Sequence, residues 1–261
     1  MLLNPENYTY SRFKQYRKDG EEYGDSGPLY LAEHSDGTKL LVKQMNTMDT
    51  ANEYLSCSIA QLLGINAPRA WLFSSHKQIK KISFRHSVGI EYFEDFKPAT
   101  KEEFLENSHD AAKGLILNLL IDQEDGTEFG MHQNSIYTFD FSNTFTMSCY
   151  FGDRFLKMLE SPSNELIQLL ERRRDTYSSY LDSAIDVLSE SLIAPEIMEE
   201  EYRNIRERYL TLIKNQDFEP ILDEIGKLYP EAIVDFYRSI LSELAYKLDK
   251  IPSIIKNSST V

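Results

Sequence analysis

The spacing of hydrophobic residues changes once along this chain, near residue 96, and the change limits the folds that it can adopt. Before it, short runs rich in Leu, Val, Ile, Tyr and Phe have the length and composition of β-strands: PLYLAEH, KLLVKQM, RAWLFSS and SVGIEYF. From about residue 103 onward, apolar residues recur mainly at helical spacing. The sequence therefore predicts an α+β fold with two lobes, a small β-rich lobe over 1–96 and a larger helical lobe over 97–261.

The first lobe contains one clear hairpin and one clear helix. The turn HSDGTK carries Asp36-Gly37, a dipeptide typical of hairpin turns, which predicts antiparallel pairing of residues 29–33 with residues 39–44. The run DTANEYLSCSIAQLLG then has apolar residues at i, i+4 and i+7 and ends at Gly64, a common helix stop. Several strands around a single helix are expected.

The second lobe is expected to be helical except at one point. Five runs have helical periodicity: EEFLENSHDAAKGLILNLLI, RFLKMLESPSNELIQLLERRR, YSSYLDSAIDVLSESL, EIMEEEYRNIRERYLTLIKN and PEAIVDFYRSILSELAYKLDKI. The run QNSIYTFDFSNTF interrupts them with alternation typical of a strand.

Composition excludes several classes of protein. The chain has 261 residues, 41% of them hydrophobic, which is enough for a large packed core. Its formal net charge of -14 argues against non-specific binding of nucleic acid or an anionic membrane. The sequence shows no signal peptide and no apolar run of membrane-spanning length. Cys57 and Cys149 form no metal-ligand spacing, so we expect a cytoplasmic protein in a reducing compartment.

Lys43 and Glu53 are the first candidate functional pair. Lys43 lies on the predicted strand KLLVKQ, on the face opposite Leu40 and Val42, and Glu53 follows ten residues later on the helix. A helix glutamate that orients a strand lysine toward nucleotide phosphates would have this arrangement. Two other interpretations stay open: a solvated lysine, and a capping box in which Thr50 and Glu53 begin their own helix.

Asp140 stands out because it is a carboxylate on an aromatic-rich strand end, where lost hydration must be replaced by a cation or by hydrogen-bond donors. Before it, a polar loop carries Asp122, Asp125 and His132. Phosphoryl transfer needs one group that orients the attacking hydroxyl and another that binds Mg²⁺. Asp125 and Asp140 are the candidates, although Asp140 as a cap of the following Ser-Asn turn is an alternative.

A glycine-containing segment, YGDSGP, precedes the first of the paired strands. Gly24, Ser26 and Gly27 are positioned to turn the backbone tightly and to present N–H groups to a phosphate. An ordinary turn that binds no phosphate would have the same composition, and this interpretation stays open.

Together these runs resemble the HipA-like kinase family, a bacterial branch related to protein and phosphoinositide kinases. The resemblance covers roughly residues 20–145, and its most specific part is NEYLSCSIAQLLGINAPRAWL. It implies a bilobal protein-kinase-like fold that uses ATP and Mg²⁺ to phosphorylate a protein Ser or Thr, often as the toxin of a toxin–antitoxin pair. The partner would be a protein substrate or a cognate regulatory protein, with no nucleic acid or membrane bound directly.

The resemblance also assigns roles to residues. Lys43 matches the nucleotide-binding lysine, Glu53 its partner, Asp125 the catalytic aspartate and Asp140 the metal aspartate. The nucleotide would lie beside a hinge at residues 91–94, which makes Glu91 and Phe93 cofactor-binding candidates together with Gly24, Ser26 and Gly27.

The chain departs from the family in its catalytic loop. The catalytic-loop motif of the family is usually Asp-Arg-His-x-x-Asn, whereas this chain has Asp125-Gly-Thr-Glu-Phe-Gly. Asn134 comes a few residues late, and it is the candidate for the missing metal ligand. Two alternatives to a protein kinase follow, namely a pseudokinase that acts by binding a partner and a small-molecule phosphotransferase of related fold.

Overall fold

The computed structural model describes residues 2–13, 28–74, 78–121, 123, 128–142, 144–145, 193–249 and 251–252. In these residues a β-sheet region is followed by a helical region, as the change in hydrophobic spacing predicts. Two of the predicted helices, RFLKMLESPSNELIQLLERRR and YSSYLDSAIDVLSESL, lie outside the described residues. None of the described helices is long and apolar enough to cross a membrane.

Ten strands are described, in three sheets. They are β1 (Tyr8–Arg12), β2 (Leu29–His34), β3 (Lys39–Gln44), β4 (Ala70–Leu72), β5 (Gln78–Ile79), β6 (Ile82–Ser83), β7 (Ser87–Glu91), β8 (Lys97–Pro98), β9 (Glu128–His132) and β10 (Ser135–Phe139). The largest sheet has the antiparallel order β1-β2-β3-β7-β4. The others are β10-β9-β8 and the short hairpin β5-β6.

The predicted hairpin is confirmed, with Leu29 opposite Lys43 and Glu33 opposite Lys39. Gly37 at its turn has φ of 88°, a conformation that glycine adopts without steric strain. The sequence interpretation missed β1, whose run YTYSR alternates polar and aromatic residues but has no turn dipeptide beside it.

Helix α1 (Thr47–Leu63) crosses one face of the large sheet and ends at Gly64, which is left-handed at φ of 70°. It begins earlier than the capping-box interpretation requires. The N-cap is Asn46, whose side chain accepts the Asp49 N–H at 2.9 Å. Thr50 lies inside the helix and donates to the Asn46 carbonyl at 2.8 Å, so the Thr50 capping box is wrong.

Five more helices are described after residue 100. They are α2 (Lys101–Glu106), α3 (Ser108–Leu120), α4 (Pro195–Asn215), α5 (Glu219–Gly226) and α6 (Glu231–Leu248). The polar loop predicted to contain His132 is shorter than expected, because His132 ends strand β9 and pairs with Ser135. Strand β10 confirms the predicted interruption of the helices.

One continuous apolar core joins the sheet region to the helical region. Val88 and Ile90 of the large sheet belong to it together with residues of α1, α3, α4, α5 and α6, and α1 is buried along most of its length. A second, smaller core lies on the other face of the sheet, around Leu40, Val42 and Phe84. Helix α1 is therefore a central element of the fold, which explains why it is apolar on more than one side.

The hairpin β9-β10 is held against α3 by a close approach. A Cβ atom added to Gly114 would lie 2.5 Å from the Phe129 ring, so glycine permits the contact. In addition, Asn118 donates to the Thr138 hydroxyl at 3.2 Å, and the Thr138 N–H donates to the Asn66 carbonyl at 3.0 Å. These contacts fix the strand that leads to Asp140.

Substituting Gly114 with alanine is expected to lower the free energy of unfolding by about 1–3 kcal/mol, because the new methyl group displaces Phe129. The higher helix propensity of alanine would by itself raise the free energy of unfolding by about 1 kcal/mol. Urea unfolding measures the net effect. The double variant Gly114→Ala, Phe129→Leu should recover part of the loss, and a stabilised Gly114→Ala protein would contradict the close approach.

Candidate active site

Three charged side chains that are far apart in sequence meet at the junction of the two regions. The Lys43 ammonium lies 2.8 Å from Asp140 Oδ1 and 3.3 Å from Glu53 Oε2. The Glu53 side chain is 1% exposed, that of Lys43 15% and that of Asp140 44%. The group is thus closed on the Glu53 side and open on the Asp140 side, where an anionic or cationic ligand has access.

The sheet and α1 place Lys43 and Glu53 together. Strand alternation sends Leu40 and Val42 into the smaller core and turns Lys43 to the opposite face, over which α1 packs. Glu53 lies in the second turn of α1 and points at this face of β3. The observed contact agrees with the interpretation in which Glu53 orients Lys43. It disagrees with the interpretation of Lys43 as a solvated side chain.

Asp140 follows the last residue of β10 in an uncommon backbone conformation, with φ of 64°. Aspartate tolerates the left-handed region better than most residues, although the conformation is strained relative to glycine. The Ser142 hydroxyl donates to Asp140 Oδ1 at 3.3 Å, and the Gln123 side chain donates to the Asp140 carbonyl. Asp140 therefore takes part in a local turn and also pairs with Lys43.

Burial and charge shift these ionisable groups in different directions. Burial opposes the charge of Lys43, but Asp140 and Glu53 outweigh it and raise its pKa. The positive charge of Lys43 lowers the pKa of Asp140. Burial raises the pKa of Glu53, and this rise is limited by Lys43 and by the N–H donated from Phe141. Lys43 is therefore a cation at neutral pH, and its charge favours the ionised form of Asp140.

An apolar strip extends from Lys43 along the same face of the sheet. Leu41 shares this face with Lys43 by alternation, and Leu31 lies directly opposite Leu41 on β2. Both leucines are only half-buried. At the far end, the Tyr92 N–H donates to the Lys39 carbonyl at 3.3 Å, and Glu94 pairs with Lys39 at 2.5 Å. The distance from Lys39 to Lys43 along the strand is about 13 Å.

The side chains of Glu91 and Phe93 are engaged away from Lys43. Glu91 accepts the Arg69 N–H at 3.3 Å. The Phe93 ring stacks on His132 with centroids 3.9 Å apart and meets the edge of Tyr137 at 5.3 Å. Phe93 thus links the segment after β7 to the hairpin β9-β10. The assignment of Glu91 and Phe93 to nucleotide binding stays a prediction from sequence.

Asn134 does not reach Asp140. It lies in the turn between β9 and β10 with φ of 63°, at the opposite end of β10 from Asp140. Six extended residues separate the two positions by about 20 Å. A metal ion cannot bridge this distance, so the assignment of Asn134 as a metal ligand is corrected: its role is in the hairpin turn.

Four candidate residues lie outside the described residues: Gly24, Ser26, Gly27 and Asp125. Their assignments stay predictions from sequence. The strands on either side of the glycine segment are described, and β1 pairs directly with β2, so the segment joins two adjacent antiparallel strands.

The described residues contain no group of three His, Cys, Asp or Glu side chains able to hold a metal ion. Asp140 nevertheless has the chemistry that Mg²⁺ prefers, since it is an ionised oxygen donor whose side chain is 44% exposed. Both side-chain hydrogen bonds that it accepts fall on Oδ1. A magnesium ion that takes its other ligands from water and phosphate oxygens fits this site.

Sequence inspection missed the residues of α1 that hold the loop after Asp140. Asn52 donates to the carbonyls of Ser142 and Thr144, and the Ser56 hydroxyl lies 3.1 Å from that of Thr144. The signal was present in TANEYLSCS, where polar residues at i, i+1 and i+4 share a face of a largely buried helix. Of these residues, only Glu53 matches a known motif, so sequence alone gave no role to Asn52 and Ser56.

No family model matches the chain, and no curated protein matches it. Among solved structures, the chain is similar to CtkA, a proinflammatory kinase of Helicobacter pylori. The two share 13% sequence identity with a TM-score of 0.48, and the match covers 95% of this chain and 96% of that chain.

Proposed function

We propose that this protein is an ATP- and Mg²⁺-dependent kinase of HipA-like, bilobal type that transfers the γ-phosphate of ATP to a protein serine or threonine. The observation that supports the proposal most directly is the position of Lys43 between Glu53 and Asp140. The resemblance names four separate parts of the chain, and the structure brings them together. Lys43 of β3 contacts Glu53 of α1 and Asp140 after β10, and β3 pairs with β7, which leads into residues 91–94.

The strip beside Lys43 has the order of groups that a nucleotide requires. Leu31 and Leu41 offer an apolar surface for a base, and Lys43 offers a positive charge for the phosphates farther along β3. A lysine ammonium has three N–H donors, of which two are directed at Glu53 and Asp140. Among the described residues, no contact is recorded for the third N–H, which we propose to donate to a phosphate oxygen while Glu53 keeps the ammonium in place.

Asp140, with water and the phosphates, would hold the magnesium ion. A bound magnesium ion would supply positive charge to offset the negative charge that develops on the phosphate oxygens during transfer. Lys43 favours the ionised form of Asp140, which is the form of a carboxyl that binds a cation. Asp125 is proposed to orient the attacking hydroxyl, as predicted from sequence.

The partner is proposed to be a protein substrate or a cognate regulatory protein, as in a toxin–antitoxin pair. A pseudokinase would share the geometry of Lys43, Glu53 and Asp140, and the run Asp125-Gly-Thr-Glu-Phe-Gly, which lacks the family's arginine, histidine and asparagine, is the observation that favours it. The two proposals differ in turnover and not in nucleotide binding.

With purified protein and [γ-³²P]ATP, label is expected to enter protein serine or threonine when Mg²⁺ is present and not when EDTA is added. [α-³²P]ATP in a parallel reaction should give no labelled protein, because a kinase releases the α-phosphate with ADP. Phosphoamino-acid analysis identifies the acceptor, and metabolite pools in place of protein test a small-molecule phosphotransferase.

A thermal-shift titration separates the remaining outcomes. Stabilisation by ATP without transfer of label would support the pseudokinase and contradict the kinase. Transfer from [α-³²P]ATP would show nucleotidyl transfer instead. Absence of both stabilisation and label, at millimolar ATP and Mg²⁺, would contradict nucleotide binding at Lys43 altogether.

A further inference from the structure

A buried hydrogen-bond chain links helix α6 to the loop that carries Asp140. The Tyr237 hydroxyl of α6 donates to Asn52 Oδ1 at 2.7 Å. Asn52 Nδ2 in turn donates to the Ser142 carbonyl at 3.3 Å and to the Thr144 carbonyl at 3.1 Å. Tyr237 and Thr144 are 0% exposed and Asn52 is 1% exposed, so water does not replace any of these partners.

Asn52 supports the loop from a buried position. A carbonyl group loses hydration on burial, and the single amide group of Asn52 donates to the carbonyls of both Ser142 and Thr144. The loop is also anchored on its other side, where the Phe145 N–H donates to the Ile121 carbonyl at 2.7 Å. Asn52 thus sets the path of the backbone directly after Asp140.

Tyr237 favours the orientation of the Asn52 amide in which the NH₂ group faces the loop. Its hydroxyl lies 2.7 Å from Asn52 Oδ1 and 3.5 Å from the Met48 carbonyl, and donation to Oδ1 leaves the NH₂ group directed at the two loop carbonyls. The opposite orientation would place Oδ1 against two carbonyl oxygens, which repel it. The Tyr237 ring also packs against Phe145, with centroids 6.2 Å apart. Tyr237 therefore contacts the loop directly through its ring and indirectly, through Asn52, by its hydroxyl.

We propose that Asn52 and Tyr237 are positioning residues that hold Asp140 toward Lys43, so that the Tyr237 hydroxyl couples helix α6 to the metal-binding carboxylate through Asn52. Neither residue touches the reacting atoms. The inference rests on the proposed function for its consequence in catalysis, but the positioning itself is a property of the protein without nucleotide.

Tyr237→Phe tests the chain with little change in packing, since the ring is kept and one hydroxyl is removed. Amide hydrogen exchange at Phe141 and Phe145, measured without nucleotide, is expected to become about two- to tenfold faster. Asn52→Leu removes both donors and should produce a larger increase. If the wild-type protein transfers phosphate, the Mg²⁺ concentration for half-maximal turnover should rise by a similar factor.

Tyr209→Phe is the matched control. Tyr209 is also 0% exposed, and its hydroxyl donates to the Leu241 carbonyl of α6 at 2.6 Å, but it does not contact Asn52. It should lower global stability without selective exchange at Phe141 and Phe145. Equal exchange in the Tyr237→Phe and Tyr209→Phe proteins, or no change in either, would overturn the positioning role.

The two proposals fail independently. Faster exchange in Tyr237→Phe together with no phosphate transfer by the wild type would leave the positioning intact and refute the kinase. Active wild type with unchanged exchange and unchanged Mg²⁺ requirement in Tyr237→Phe would refute the positioning and leave the kinase intact.

Discussion

Replacing Lys43 with methionine is expected to destabilise the protein by about 3–5 kcal/mol at neutral pH and to abolish phosphate transfer. The reason is that Glu53, 1% exposed, loses the cation that compensates for its burial. Methionine keeps most of the side-chain volume, so the effect reports charge and not a cavity. Urea unfolding measures the stability, and incorporation of ³²P measures the activity.

The stability loss is expected to depend on pH. Burial already raises the pKa of Glu53, and without Lys43 this pKa rises further above the unfolded value of about 4.3. A carboxyl whose pKa is higher in the folded state stabilises below its unfolded pKa and loses that stability as pH rises. The difference between wild type and variant should therefore be larger at pH 8 than at pH 5.

Lys39→Met is the control for this experiment. Lys39 lies on the same strand and the same face, but it pairs with Glu94, whose side chain is 71% exposed. Removing this exposed pair should change stability little at either pH. A Lys43→Met protein with the stability of Lys39→Met, or with a pH-independent loss, would mean that Glu53 is not compensated by Lys43.

The elements predicted best from sequence were those determined by local rules. The hairpin of β2 and β3 depends on Asp36-Gly37, and the end of α1 depends on Gly64, so short-range conformational preference was sufficient for both. The capping box at Thr50 was wrong because α1 begins one turn earlier, at the N-cap Asn46, whose side chain accepts the Asp49 N–H. Asn46 and Thr50 are both residue types that cap helices, and local sequence does not show which of them does so.

The candidate site was predictable in part for a different reason. Lys43, Glu53 and Asp140 were chosen by residue type and order, and the structure brings these three together across 97 residues. Asn134 was chosen to supply a missing ligand, and the position was wrong because β9 extends to His132 and places Asn134 in the hairpin turn. Strand β9 could not be found from EFGMH alone, since its partner strand determines its register.

The contribution of α6 was not predictable from local pattern. Tyr237 lies 185 residues after Asn52, and in sequence it is one of several aromatic residues on an amphipathic helix. Apolar periodicity predicts that such a side chain is buried, but it does not say which polar group its hydroxyl meets. The polar contacts inside the shared core therefore required the three-dimensional packing of α1 against α6.

Substitutions at Asp140 are expected to separate its role in the turn from its role in catalysis. With φ of 64°, Asp140→Gly relieves steric strain, whereas Asp140→Ala retains it, so the alanine protein should be less stable by about 1 kcal/mol. Asp140→Asn keeps a side chain that tolerates this conformation and can still accept the Ser142 hydroxyl. Phosphate transfer should nevertheless fall by about a hundredfold or more in all three proteins, because each lacks the anionic oxygen.

Stability from urea unfolding and turnover with Mg²⁺ are measured on the same three proteins. Binding of ATP in EDTA should be preserved, because Lys43 keeps its contact with Glu53 at 3.3 Å. If Asp140 acts only in the turn, turnover should change in parallel with the free energy of unfolding. The Asp140→Gly and Asp140→Asn proteins would then be active, and the Asp140→Ala protein would be less active. Loss of turnover in all three, with the glycine protein the most stable, is the outcome expected of a carboxylate held in a strained backbone because its charge is needed.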